Sequence, residues 1–381
     1  MLVSHTSMSG LRAASSWNEV AERVAEARQA AHLTQEELAD ALGLDRTAVT
    51  KIESGRRQLD AIELLNLARV LRRSPEWFVS APPPAVVSRR TQLTEEATFP
   101  DVDALVEELA RDVELLVELG ELDPPEPPSL PQPVSDVLGA EEGAVRTRAA
   151  FGVRTGPLHE LLRACESVGL YGFSIPIDHP GFDGAYVALE RGGVALVNGS
   201  VDPGRRRFNL AHELGHHVLA DEYSADFALG ESQSDREKLV NAFAIHLLMP
   251  RDSVVEDWKR LGGEEDPRAA LVHMAADYRV SWTAACSHLL NLGLVDRDAW
   301  WTLKERRPTR ADYIEANVLF VEELAPTSVP PGFARAALRA FRKHKLGADR
   351  TVELLRGTVS AEELPLPDQI PLDALKGELR G

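Results

Sequence analysis

The stretch that most limits how this chain can fold is Phe208–Leu219, FNLAHELGHHVL. Phe208, Leu210, Ala211, Leu214, Gly215, Val218 and Leu219 cover so much of a helix's circumference that this helix must be largely buried. Within it stand His212, Glu213 and His216, the H-E-x-x-H spacing of zinc hydrolases. Residues four apart share one face of a helix, so the two imidazoles can share one metal ion. Glu213 falls toward the same side, placed to act as general base on water at an open zinc position. The helix start is also written in the sequence. Asp202 reads as its N-cap and Pro203 as its first residue, where a missing N–H costs nothing. A hydrolytic zinc site needs a third protein ligand, so a second buried element must meet this helix.

The run from Glu237 to Pro250 supplies one, a second apolar helix ended by its proline. Glu237 begins it and is the candidate third ligand. Asn241, one turn later, can hold the other ring nitrogen of a histidine. Glu222, Asp226 and Asp235 are rivals, but none begins an apolar helix. The two segments resemble the ImmA/IrrE metallopeptidases, which carry H-E-x-x-H on one helix and E-x-x-A-N-x-F-A, then L-L-M-P, on the next. Glu237, Asn241, Phe243, Ala244 and Leu247–Pro250 match; Val240 stands where that pattern has Ala, a change of packing. A metzincin would need Gly at 219 and His at 222, where the chain has Leu219 and Glu222. The resemblance implies a gluzincin-like zinc metalloendopeptidase, with Zn2+ on His212, His216 and Glu237, Glu213 as the catalytic base and Asn241 behind the ligands. It also implies a protein substrate, typically a repressor cut under stress or on mobile-element induction. His217 is a quarter-turn off the ligand face and reads as a supporting or surface residue.

The N-terminal region has a different character. Net charge is −18, yet residues 1–90 are nearly balanced, which sets them apart as a module. After fifteen residues that read as disordered, five short amphipathic helices follow: 17–31, 34–42, 45–53, 60–71 and 75–79. Thr34 and Glu37 form a capping box, and Gly43 and Gly55 close the second and third helices. A helix, a tight glycine turn and a helix with polar residues at its start describe a helix-turn-helix. The order LTQEELADALGL…VTKIESGRR resembles the Xre/Cro/C1 repressor family. That resemblance implies operator DNA as partner, with Arg46, Thr47, Thr50 and Lys51 in the major groove and Gln35, Arg56 and Arg57 on phosphates. A two-fold symmetric operator leaves a homodimer possible.

Between the modules lie Ala81-Pro-Pro-Pro84, an acidic amphipathic helix over 101–122 and the proline-rich run 123–133. Strands are expected at 171–176, 184–190 and 194–198, the last two a hairpin around Arg191-Gly-Gly. A strand just before the metal helix offers an edge on which an extended peptide could lie across the metal. Three short helices over 266–304 resemble the helix-turn-helix subdomain that often follows this peptidase. The second, Ser281–Asn291, holds no Lys or Arg and so reads as packing support. The tail carries helices near 332–344 and 348–356 and a basic cluster to which the sequence assigns no role.

The expected fold is mainly α with a small β-sheet (α+β). Its parts are a five-helix Xre-type domain (16–80), a linker with an acidic helix (81–133), a zincin-like peptidase domain (134–262), a helical subdomain (263–310) and a helical tail (311–381). No apolar run approaches the length of a membrane span, and no charged-then-apolar leader opens the chain, so a cytoplasmic protein without membrane contact is expected. Cys165 and Cys286 sit in apolar surroundings without metal-ligand neighbours and read as reduced core thiols. The expected function is a transcriptional regulator fused to a zinc endopeptidase. The rival is a DNA-binding, antitoxin-like repressor whose peptidase fold serves as sensor or scaffold.

Overall fold

A computed structural model describes residues 16–368 apart from 32, 72, 74, 80–87, 92–99, 131–132, 180, 220–232 and 319–320. The first fifteen residues, the Ala81–Pro84 break, Glu222 and Asp226 thus lie outside the described residues. The chain divides into two compact units, Met1–Ala85 with Thr98–Glu108, and Val86–Ala97 with Leu109–Gly381. Among the described residues no helix is long and apolar enough to cross a membrane.

In the first unit the expected helices appear as α1 (Trp17–Ala30), α2 (Gln35–Leu42), α3 (Arg46–Glu53), α4 (Ala61–Val70) and α5 (Pro75–Val79). Their ends follow local chemistry. The Glu37 amide donates to Thr34 Oγ1 at 3.2 Å, and the Thr34 amide donates to the Glu37 carboxylate at 2.7 Å. Gly43 closes α2 at φ 67°, a conformation that favours glycine. Asp45 caps α3 by accepting from the Ala48 amide at 2.7 Å. Val24, Leu38, Val49, Ile52, Leu67 and Phe78 fill the core.

The second unit holds one four-stranded sheet: β1 (Ser88–Thr91), β2 (Leu170–Ile175), β3 (Phe182–Ala188) and β4 (Gly193–Asn198), in the order β1-β3-β4-β2. β3 and β4 form the expected hairpin, β2 runs parallel to β4, and β1 runs antiparallel to β3. β1 falls in the stretch read as linker, where its four residues carry no alternation strong enough to announce a strand. β4, the strand before the metal helix, is internal, so it offers no free edge. The expectation of a peptide laid along it is corrected on that ground.

α6 (Pro100–Glu118) is divided between the units at Glu108, and the later helices pack on this sheet and on one another: α7 (Val137–Ala150), α8 (Leu161–Glu166), α9 (Pro203–Leu219), α10 (Gln233–Leu248), α11 (Arg251–Arg260), α12 (Pro267–Asp277), α13 (Trp282–Asn291), α14 (Arg297–Glu305), α15 (Arg310–Glu315), α16 (Pro331–Arg342) and α17 (Ala348–Leu354). One core runs through Leu210, Leu214, Phe243, Leu247, Trp258, Leu271, Cys286 and Leu289, so the helices of 266–304 share it with the sheet. Cys165 and Cys286 are buried free thiols, and burial pushes Cys286 up to about 12.

The acidic helix is no free spacer. Val106, Leu109, Val113 and Leu116 are fully buried, and so is Asp112, which pairs with Arg350 at 2.5 Å and with Arg356. Just past the helix, buried Glu121 pairs with Lys345 at 2.6 Å, Lys343 at 3.0 Å and Arg339 at 3.5 Å. The tail's basic cluster thus neutralises carboxylates that the sequence shows only as acidic residues far away along the chain.

Candidate metal site and DNA-facing helix

α9 begins at Pro203, with the Asp202 carboxylate accepting from the Arg205 amide at 3.0 Å. From Leu210 to Val218 the helix is buried without interruption. α10 crosses it and starts at Gln233, a turn earlier than expected, so Glu237 lies inside the helix. The close crossing depends on Gly215. A Cβ there would sit 2.8 Å from Val240 Cγ1 and 3.1 Å from a ring carbon of Phe243. The sequence shows this glycine only as an x of the motif.

The crossing brings His212, His216 and Glu237 together, the one such metal-binding group among the described residues. His212 Nε2 lies 3.2 Å from His216 Nε2 and 3.2 Å from Glu237 Oε2, and His216 Nε2 lies 3.4 Å from Glu237 Oε1. Donors held about 2.0–2.1 Å from a tetrahedral zinc ion are about 3.3–3.4 Å apart, so the three groups fit that ion. Burial works against charge on Glu237, but hydrogen bonds from His212 and His216 outweigh it and hold its carboxyl far below the usual range. Asn241 Oδ1 lies 3.1 Å from His212 Nδ1 and accepts from it, so Nε2 is the nitrogen that would turn a lone pair to a metal once it gives up the proton it shares with Glu237. The histidines are buried while Glu237 is one-third exposed. Asp235 is exposed and pairs with Lys238 at 2.7 Å, away from this group.

Glu213 is fully buried, and its carboxylate rests against β3. Asn209, one turn earlier on α9, donates to the Asp183 carbonyl at 3.2 Å, and Asp183 pairs with Arg205 at 2.6 Å. These contacts clamp β3 to the motif helix. On its outer edge β3 carries β1, with Arg90 opposite Gly184. His217 is not a surface residue. It is buried, its Nε2 donates to the Val168 carbonyl at 2.8 Å, and its Nδ1 lies 3.0 Å from the Tyr186 hydroxyl and accepts from it. Both ring nitrogens are used, which leaves no lone pair for a metal.

In the first unit Arg46, Thr47, Thr50 and Lys51 are exposed on α3, opposite the buried Val49 and Ile52. Thr47 donates to Asp45 at 2.5 Å, and Thr50 donates to Gln35 at 3.0 Å. Gln35 in turn donates to Glu53 at 2.7 Å, so it ties α2 to α3. Arg56 is exposed, whereas Arg57 is half-buried and pairs with Glu63 at 2.5 Å. That partner was not legible in the sequence, because α4 had to fold back to present it.

A capped helix-turn-helix unit and a helix pair presenting two histidines and a glutamate define a DNA-binding domain and a metallopeptidase-type domain on one chain. Residues 24–78 match the helix-turn-helix family, and residues 165–290 match the IrrE N-terminal-like domain family. The chain is 32% identical over 165 residues to the radiation response metalloprotease IrrE of Deinococcus deserti, covering 41% of this chain and 55% of that protein. It is 30% identical over 159 residues to its namesake from Deinococcus radiodurans, covering 39% and 46%. The chain thus spans about half the length of the curated relatives it matches. Among solved structures, the restriction-modification controller protein C.AhdI from Aeromonas hydrophila is 35% identical, covering 16% of this chain and 94% of that one, with a TM-score of 0.16.

Proposed function

We propose that the chain is a cytoplasmic transcriptional regulator whose second unit is a zinc-dependent endopeptidase acting on a protein, with a DNA-bound repressor as the substrate class. The observation that carries the reading is the His212–His216–Glu237 group, its donors 3.2–3.4 Å apart, with Glu213 on the same helix. Zinc bound there supplies a Lewis acid and lowers the pKa of water. His212 and His216 would hold the ion through Nε2, Glu237 would neutralise part of its charge, and Asn241 keeps the proton of His212 on Nδ1. Glu213, buried and aimed at β3, takes the proton from the attacking water and returns it to the leaving amine. In the first unit Arg46, Thr47, Thr50 and Lys51 read base edges, while Gln35, Arg56 and Arg57 serve the backbone. The Glu63 partner of Arg57 makes that arginine a structural residue as well.

The test is to mix the zinc-loaded chain with repressors encoded beside its gene and to look for fragments by mass spectrometry. Glu213→Gln should keep the metal and give none. Binding of zinc without cleavage of any such protein by the unaltered chain would favour a sensor or scaffold. For the first unit, Arg46→Ala in the full chain should relax base preference by about 1–3 kcal/mol at one operator position. Unchanged preference in a binding-site selection would remove Arg46 from the reading surface.

A further inference from the structure

β3 places a glycine in the middle of a buried strand, where glycine ordinarily weakens the sheet. Gly184 has no need of a positive φ, so its backbone would accept any L-residue. Space is what excludes a side chain. A Cβ on Gly184 would lie 2.6 Å from Glu213 Oε1, 3.4 Å from the carboxyl carbon and 3.2 Å from the Leu196 carbonyl oxygen. The Leu196 carbonyl belongs to β4, which is central in the sheet and cannot retreat. Nor can β3 slide, for it is paired on one side with β4 and on the other with β1, and Asn209 ties Asp183 to α9. The soft partner is therefore the end of the Glu213 side chain.

We infer that Gly184 is a positioning residue for Glu213: its missing side chain is the berth that lets this buried carboxylate lie flat against the strand, and the strand backbone sets where the carboxylate points. This rests on the reading of Glu213 as the base, but the geometry concerns Gly184 and Glu213 alone. Alanine at 184 would turn the carboxylate out of its berth while the donors on His212, His216 and Glu237 stay in place. The loss would fall on proton transfer and leave metal binding alone.

The experiment is a thermal double-mutant cycle in the zinc-loaded full chain, with zinc content measured beside it. Gly184→Ala should lower Tm by several degrees in the parent chain and equally in Glu213→Gln, whose amide fills the same berth. In Glu213→Ala the same substitution should cost much less, because the berth is empty and only the 3.2 Å approach to the Leu196 carbonyl remains. Zinc stays at one per chain throughout. If the unaltered chain cleaves a repressor, Gly184→Ala should cut kcat roughly a hundredfold with KM held, as loss of a positioned base does. An equal Tm loss in the Glu213→Ala background would overturn the inference, since the glycine would then serve the strand alone. So would loss of zinc in Gly184→Ala. Absence of cleavage by the unaltered chain would strike at the peptidase reading and leave the thermal cycle to decide this one.

Discussion

Asn241 and Glu237 share a helix and divide the work of the site between them. Glu237 contributes an oxygen 3.2 Å from His212 Nε2, whereas Asn241 grips the far nitrogen of the same ring. Glu237→Ala should therefore lose most of the zinc, and Asn241→Ala should weaken it about 10–100-fold. Competition against a chelator reads both; equal affinity in Asn241→Ala would show that packing alone orients the ring. A second pair of histidines titrates in the opposite sense to a salt-bridged one. His246 and His288 meet edge to face at 4.8 Å, near Glu141 and Arg251, and His288 Nε2 donates to the Met249 carbonyl at 2.9 Å. Burial, then the neighbouring His246, presses His288 down to about 3, and burial lowers His246 as well. An unfolded histidine protonates near about 6.5, so the unfolded chain takes up protons that the fold refuses. The stability is fully present above that pH and is lost as pH falls toward 3. Tm should drop between pH 7 and pH 4 more steeply in the parent chain than in His288→Gln, and parallel slopes would count against the pair.

The crossing of α9 and α10 is decided by two residues, Gly215 and Val240. Gly215→Ala places a methyl carbon 2.8 Å from Val240 Cγ1, too close for either to stay, so the helices must part and carry Glu237 away from the histidines. The expected outcome is lower zinc affinity together with lower Tm. Val240→Ala, which restores the alanine of the ImmA/IrrE pattern, should recover much of both by giving the methyl room, short of the 3.1 Å approach to Phe243. If zinc affinity in Gly215→Ala equals that of the parent, the crossing is more tolerant than the contact distances imply. The resemblance presents Val240 as a neutral change; the structure shows it filling the space that Gly215 leaves. α13 makes the same point for the later helices. Its lack of Lys and Arg goes with burial of Trp282, Ala285, Cys286, His288 and Leu289 in the core of the second unit.

Across the whole molecule, ion pairs between distant parts of the chain hold the second unit closed. Asp112 is fully buried between Arg350 and Arg356, and Glu121 gathers three basic side chains of the tail. Removing one buried member leaves its partners uncompensated, so Asp112→Ala should cost about 3 kcal/mol, at the low end because Arg350 stays partly exposed. Denaturant unfolding measures it; a loss below about 1 kcal/mol would mean that the tail docks by apolar contacts instead. The sequence by itself determined whatever depends on residues close along the chain. It placed the helices of the first unit with their caps, the β3–β4 hairpin, the H-E-x-x-H face and the one-turn spacing of Glu237 and Asn241 on a shared helix. Helical and strand periodicity, capping chemistry and motif spacing are all local, so they survive in one dimension. Only the tertiary structure decided what depends on distance in space. It buried His217 between Tyr186 and Val168, paired Arg57 with Glu63, made β4 internal by adding β1 at the β3 edge, and set the tail's cations on Asp112 and Glu121. Each of those outcomes turns on which surfaces meet when the core closes, and no spacing along the chain encodes that.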